Sequence, residues 1–173
     1  MNVPLFKQKR NTCGLTALRM ILKYWGKEVG EQEIARGTGG IKKYGVRTIK
    51  LAEFAGKSGF KTECLSYNKK LANKESRIKK PNMRDIVGYL RKEVPVIVAV
   101  RSALLYREEP SEVGHFVVLT NYQNRKFSYN DPDDGKRHKV GAEKLVSALL
   151  ANATDSSAYL LAIWSKGFYK KVD

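Results

Sequence analysis

The chain has 173 residues, of which 42% are hydrophobic, and this suffices for one compact domain with a buried core. The 33 Lys and Arg residues outweigh 17 Asp and Glu, so a formal net charge of +16 attracts anionic partners such as nucleic acid, acidic peptides or an anionic membrane surface. Two cysteines are too few for a disulfide scaffold, and the longest apolar run, residues 94–100, is far shorter than the roughly 20 residues of a membrane span.

The first ten residues contain no apolar stretch long enough for a signal peptide. We therefore expect a soluble cytoplasmic protein in which Cys13 and Cys64 stay as free thiols. We expect one domain over residues 1–173, with a basic connector or flap at about 68–81. That segment contains six cationic residues, one glutamate and little apolar periodicity.

Helical signals dominate the first part of the chain. A stripe of apolar residues at helical spacing begins at Leu15 and stops at Gly26. A short helix is predicted over residues 30–37, and a longer one over 46–59, where a glycine ends the pattern. Residues 60–67 then have the pattern of a strand.

Strand signals dominate the second part. Asn82 is a plausible N-cap for the next helix, and Pro95 breaks that helix before a buried strand. The elements predicted here are a helix over 82–93, a strand over 96–102, an antiparallel pair of strands over 114–122 and 125–131, a helix over 141–152 and a strand over 157–164. Early helices followed by antiparallel strands are typical of an α+β domain.

Cys13 lies at the start of the first long helix, where Asn11 or Thr12 could act as the cap. Unpaired backbone N–H groups and the positive end of the helix dipole would face its sulfur and favour the thiolate. The thiolate is the nucleophilic form of cysteine, so Cys13 is the candidate nucleophile. Taken alone, such a cysteine is more often a small buried hydrophobe.

The other candidate site residues follow from what a cysteine nucleophile needs. His115 begins a predicted strand that would hold its ring in place, and it is the better candidate base than His138, which is predicted to lie exposed in a charged loop. Asp131 ends the next strand, where antiparallel pairing can bring it beside His115 as an orienting acceptor. Gln8 could join the backbone N–H of Cys13 in stabilising an oxyanion.

The order of these residues resembles a known family. Gln8, Cys13 in "CGLTALRMILKYWG", His115 in "GHFVVL" and Asp131 in "NDP" are similar to the papain-like clan, and within it to the double-glycine leader peptidases, family thirty-nine of the cysteine peptidases. The resemblance runs from about residue 6 to about 164. One difference is Thr12, because members that process bacteriocins usually have an acidic residue directly before the nucleophile.

The resemblance implies a papain-like fold, with a nucleophile helix packed on an antiparallel sheet that carries His115 and Asp131. It also implies a Cys-His-Asp cysteine peptidase with Gln8 in the oxyanion hole, acting through a thioester with no metal and no organic cofactor. The implied partner is a peptide or small-protein substrate cleaved after Gly-Gly, and the net charge adds the hypothesis that this substrate is acidic.

Two alternatives remain open. The same triad serves thiol acyltransferases of this clan, in which an amine replaces water. The chain could instead be a catalytically silent basic module that binds nucleic acid or another partner. It lacks, however, the aromatic residues placed among basic ones and the fold motifs of known nucleic-acid-binding proteins. The sequence predicts no metal site, since its cysteines and histidines are scattered and Pro132 interrupts the calcium-like "NDPDDG". It does not determine the oligomeric state.

Overall fold

The computed structural model describes residues 1–106, 109 and 112–168. Within this part of the chain there are six α-helices and seven β-strands. The helices are α1 (Cys13–Tyr24), α2 (Glu31–Gly37), α3 (Thr48–Lys57), α4 (Met83–Arg91), α5 (Ser102–Tyr106) and α6 (Ala142–Ala153). The strands are β1 (Phe60–Ser66), β2 (Arg77–Ile78), β3 (Val96–Arg101), β4 (Gly114–Gln123), β5 (Lys126–Asp131), β6 (Lys136–Gly141) and β7 (Leu160–Ser165).

All seven strands belong to one sheet, in the order β2-β1-β7-β3-β4-β5-β6. The short strand β2 runs parallel to β1, and the other neighbouring strands pair antiparallel. Strands β4, β5 and β6 form a continuous meander at one edge of the sheet. The architecture confirms the predicted α+β class.

The sheet separates two hydrophobic cores because successive strand residues point to opposite faces. On β3, Val96 and Val98 belong to the core shared with α4, α5 and α6, whereas Ile97 between them belongs to the core shared with α1, α2 and α3. This alternation explains why residues 96–100 are apolar at every position: both faces of this part of the strand are covered by helices. The sheet is therefore a central layer between two helical layers.

Most predicted elements are confirmed within a few residues of their predicted ends. The Asn82 cap is present as predicted: its side chain accepts a hydrogen bond from the backbone N–H of Arg84 at the start of α4. The basic segment 68–81 is largely non-helical and contributes only the two-residue strand β2 to the sheet edge.

The structure differs from the sequence-based prediction in three local features. His138 lies on the edge strand β6, paired with Tyr129, rather than in a loop, and it is half-buried. Helix α5 was not predicted at all. The side chain of Thr12, at the N-cap position of α1, does not cap the helix and instead donates to the carbonyl of Lys9 at 3.0 Å.

Among the described residues, no helix combines the length and the apolar character that crossing a bilayer requires.

Candidate active site

Cys13 is the first residue of α1 and is partly exposed. The first intrahelical hydrogen bond runs from the Thr16 N–H to the Thr12 carbonyl at 2.9 Å. The N–H groups of Cys13, Gly14 and Leu15 precede that bond and have no acceptor one turn back in the helix. The thiol therefore lies at the positive end of the helix dipole, where an anionic sulfur is stabilised.

Gly14 allows the helix to approach the sheet closely at this point. A Cβ atom on Gly14 would lie 3.1 Å from the Phe116 ring and 3.3 Å from Leu51, closer than ordinary contact. Phe116 follows His115 on β4, so the close contact holds the start of α1 beside the strand that carries the histidine. The Cys-Gly pair thus combines a reactive side chain with the small residue that its location requires.

Cys13, His115 and Asp131 lie together at the start of α1. His115 Nε2 lies 2.8 Å from Asp131 Oδ1, and the Cys13 side chain is close enough to His115 to contribute to its raised pKa. Because Nε2 is engaged by the carboxylate, Nδ1 is the ring nitrogen left to face the sulfur. His115 is 8% exposed and Asp131 is 2% exposed, so water competes little with these bonds.

The surroundings favour the charged forms of both the histidine and the aspartate. Burial opposes the imidazolium, but the hydrogen bonds and charges of Asp131 and Cys13 outweigh it and raise the pKa of His115 from 6.5 to about 10. Burial likewise opposes the Asp131 carboxylate, yet hydrogen bonds from His115, Tyr106 and the Asp133 backbone N–H hold its pKa below the ordinary 3.8. At neutral pH His115 is therefore an imidazolium held by a carboxylate.

Tyr106, at the end of α5, is a site residue that the sequence did not indicate. Its hydroxyl donates to Asp131 Oδ2, and its ring centroid lies 6.0 Å from that of His115. Burial and the contact with Asp131 raise the pKa of Tyr106, so the phenol stays protonated and remains a donor. Asp131 thus has protein donors on both carboxylate oxygens.

Gln8 lies beside the same aspartate-rich turn. Its Nε2 donates to Asp133 Oδ1 at 2.8 Å, and its backbone N–H donates to the Pro132 carbonyl at 2.7 Å. Its amide oxygen, Oε1, is buried without a hydrogen-bond partner. The structure therefore brings Gln8 to the turn that follows Asp131, with one amide N–H held by Asp133.

The second cysteine lies apart from these groups in the core. Cys64 is 3% exposed on β1, and burial raises the pKa of its thiol to about 12. Both cysteines are free thiols.

One cluster of the described residues could offer ligand atoms to a metal ion. Asp131, Asp134 and His138 place one such atom each within 4.8 Å of one another. Asp131 already bonds His115, and Asp134 Oδ2 lies 2.8 Å from His138 Nε2. The cluster is thus occupied by internal hydrogen bonds.

The sequence matches a known family over most of its length. Residues 1–152 match the model of the Peptidase_C39 like family. The chain belongs to this family. No curated protein matches the chain in sequence.

Solved structures of C39 peptidases share the fold of this family member. The peptidase domain of Streptococcus ComA, a bifunctional ABC transporter involved in a quorum sensing pathway, has a TM-score of 0.63 at 21% identity, covering 94% of this chain and 97% of that chain. A C39-like peptidase from Bacillus anthracis has a TM-score of 0.70 at 17% identity, with 95% and 96% covered. The double glycine motif protease of an AMS/PCAT transporter, solved with its leader peptide, has a TM-score of 0.57 at 19% identity, with 94% and 91% covered.

At these identities the likeness establishes the fold. The chain has the papain-like α+β architecture. Its family is a C39-like peptidase family, and its structural neighbours are peptidases of the same kind.

Proposed function

We propose that the chain is a cysteine peptidase in which Cys13 is the nucleophile, His115 the acid and base, Asp131 the orienting group and Gln8 an oxyanion donor. The observation that carries the proposal is that His115 is hydrogen-bonded to Asp131 and lies close enough to Cys13 for the cysteine to contribute to its raised pKa. Membership of the C39-like family supports the same reaction class.

The reaction proceeds by acyl transfer to sulfur. The Cys13 thiolate attacks the carbonyl carbon of the scissile peptide bond, and negative charge develops on the carbonyl oxygen. The Cys13 backbone N–H and the Gln8 amide stabilise that charge. Collapse of the intermediate breaks the C–N bond, and the His115 imidazolium protonates the departing amine.

Hydrolysis of the thioester completes the cycle. His115, now neutral, removes a proton from water as the water oxygen attacks the thioester carbon. The C–S bond then breaks, the acid product leaves, and sulfur regains the thiolate beside a protonated imidazole. Asp131 keeps the ring oriented and stabilises its charged form throughout.

For the substrate, we propose a peptide or small protein cleaved after Gly-Gly. Support comes from the double glycine motif protease with a similar fold. The net charge of +16 supports an acidic flanking sequence, which a basic surface would attract.

A matched set of peptides tests the reaction and the specificity together. Peptides with Gly-Gly, Ala-Ala or Leu-Leu before the scissile bond are incubated with the wild type and with Cys13→Ala, and products are identified by mass spectrometry. We expect cleavage after Gly-Gly by the wild type only. Cleavage by Cys13→Ala, or none by the wild type on any peptide, contradicts the proposal.

Two further comparisons address the substrate charge and the acyl acceptor. Acidic flanks should raise kcat/KM at low salt, and the advantage should shrink as salt screens the charges. Equal rates for acidic and basic flanks across the salt series would overturn that part of the proposal. An added amine that is incorporated into the product in preference to water would instead identify a thiol acyltransferase.

We also propose that residues 1–173 act as one peptidase domain, with the basic segment 68–81 as a flap. The two cores on opposite faces of one sheet support this. Denaturant unfolding should show one transition by both fluorescence and circular dichroism, and two separated transitions would contradict it.

A further inference from the structure

The turn over residues 132–135 directly follows Asp131 and packs against the segment that carries Gln8. The backbone N–H of Gln8 donates to the Pro132 carbonyl, and a Cβ on Gly135 would lie 3.1 Å from the Lys7 Cβ. Gly135 has a φ of +71°, which favours glycine, so the turn can lie directly on the Lys7–Gln8 backbone.

Asp133, in this turn, is hydrogen-bonded both to Asp131 and to Gln8. Its backbone N–H donates to Asp131 Oδ1 at 2.8 Å, the same oxygen that faces His115 Nε2. Its side-chain Oδ1 accepts from Gln8 Nε2 at 2.8 Å. A single residue therefore bonds the orienting aspartate through its main chain and the glutamine amide through its side chain.

The carboxylate of Asp133 determines which way the Gln8 amide faces. The amide has two orientations that exchange the NH2 group and the oxygen. In the observed one the NH2 meets Asp133, and Oε1 is buried with no partner. The reversed orientation would place the amide oxygen against a carboxylate oxygen, two acceptors without a hydrogen between them. The observed orientation thus persists although it leaves Oε1 unpaired.

We propose that Asp133 is a positioning residue that fixes the Gln8 amide so that its second N–H can serve the oxyanion, and this inference rests on the proposed function. An amide that rotates freely would present its oxygen to the developing negative charge for part of the time. Asp133 prevents this rotation through the hydrogen bond that its carboxylate accepts from Gln8 Nε2, and that carboxylate is not part of the Cys13–His115–Asp131 triad.

The test compares five variants with the wild type on the fluorogenic peptide acetyl-Leu-Gly-Gly-aminomethylcoumarin. Gln8→Ala should lower kcat about 100-fold, the usual loss for one oxyanion donor. Asp133→Ala should lower kcat about twofold or more with little change in KM, because a freed amide would keep the productive orientation in only about half of the molecules. The double variant should match Gln8→Ala, since Asp133 acts only through Gln8.

Asp133→Asn is a second test, and Asp134→Ala is the matched control. Asparagine carries a donor as well as an acceptor and can pair with either orientation of the Gln8 amide, so Asp133→Asn should lower kcat as Asp133→Ala does. Asp134 lies in the same turn and bonds His138 and the Lys136 N–H, so its removal takes away the same charge without touching Gln8. Asp134→Ala should therefore leave kcat unchanged. Losses in Asp133→Ala that simply add to those of Gln8→Ala would overturn the inference.

A nitrogen-15 NMR spectrum reports the Gln8 amide without any turnover. The Gln8 NH2 signals, assigned by their loss in Gln8→Ala, should move toward those of free glutamine in Asp133→Ala and remain in place in Asp134→Ala. Signals that do not move in Asp133→Ala contradict the inference, whatever the kinetics. A wild type that cleaves no peptide while its Gln8 signals depend on Asp133 would contradict the proposed function and leave the orienting contact supported.

Discussion

Asp131 Oδ1 lies 2.8 Å from His115 Nε2, although the two residues are 16 positions apart and belong to different strands. The antiparallel pairing of β4 with β5 produces this contact, because the start of one strand meets the end of the next. The contact fixes the histidine ring by one nitrogen and leaves the other for Cys13. The pairing of β4 with β5 therefore brings His115 and Asp131 together, and the start of α1, which packs against β4, adds Cys13.

The first prediction concerns the titration of His115. Because its pKa is raised from 6.5 to about 10, the ring should stay charged at neutral pH and lose its proton only as the pH rises through about 10. Nitrogen-15 NMR of the imidazole signals, recorded in a His138→Gln background that leaves one histidine, measures this directly. In Asp131→Asn the pKa should fall, since the negative charge that stabilises the imidazolium is gone.

A His115 signal that titrates near 6.5 in the wild type would contradict this prediction. So would a pKa that is unchanged in Asp131→Asn.

Much of the site could be predicted from the sequence because the relevant signals are local. Cys13 precedes a helical stripe, His115 begins an apolar strand, and Asp131 ends the next strand before Pro132. The pairing of two adjacent strands follows from the short polar turn between them. The contact between His115 and Asp131 therefore needed no long-range information.

The parts that were missed depend on tertiary contacts. Strand β6 buries only Val140 among six mostly charged residues, so it has almost no hydrophobic pattern and is held by pairing with β5. Helix α5 has five residues, which is too short for a helical pattern of apolar residues to repeat. Tyr106 contacts an aspartate 25 positions away, and nothing around the tyrosine in the sequence indicates that partner.

The second prediction concerns Tyr106→Phe. The substitution keeps the ring but removes the hydroxyl, which leaves Asp131 Oδ2 buried without its phenolic donor. Loss of a donor to a buried charged acceptor costs about 1–3 kcal/mol. We expect the free energy of unfolding, measured with urea, to fall by about that amount, and kcat to fall with KM nearly constant. The control is Tyr122→Phe, since that ring packs on Phe127 away from Asp131.

Equal stability and equal kcat in the wild type and Tyr106→Phe would show that the phenol does not support the aspartate. Equal losses in both tyrosine variants would point to a general effect of removing a hydroxyl.

The third prediction concerns Gly14→Ala. The new methyl group would lie 3.1–3.3 Å from the Phe116 ring and Leu51, so these side chains or the start of α1 must shift to accommodate it. Overpacking of this kind costs about 1–3 kcal/mol, and here it acts on the residue next to Cys13 and on the ring next to His115. We expect lower stability in urea and a lower rate of Cys13 alkylation by iodoacetamide.

Gly88→Ala is the matched control. Gly88 lies within α4, and a Cβ there would meet nothing within 4 Å. Alanine should therefore stabilise the helix by about 0.5–1 kcal/mol and leave Cys13 reactivity unchanged. A Gly14→Ala protein as stable and as reactive as the wild type would contradict the account of the close contact.

The central claim is that Cys13 and His115 form a thiolate–imidazolium pair. Its most direct test is the rate of iodoacetamide labelling at Cys13 at neutral pH, read by mass spectrometry, with buried Cys64 as the internal control and His115→Ala as the comparison. The account predicts Cys13 labelling that is faster than that of an ordinary thiol and slows in His115→Ala. Labelling of Cys13 no faster than an ordinary thiol in both proteins would contradict it.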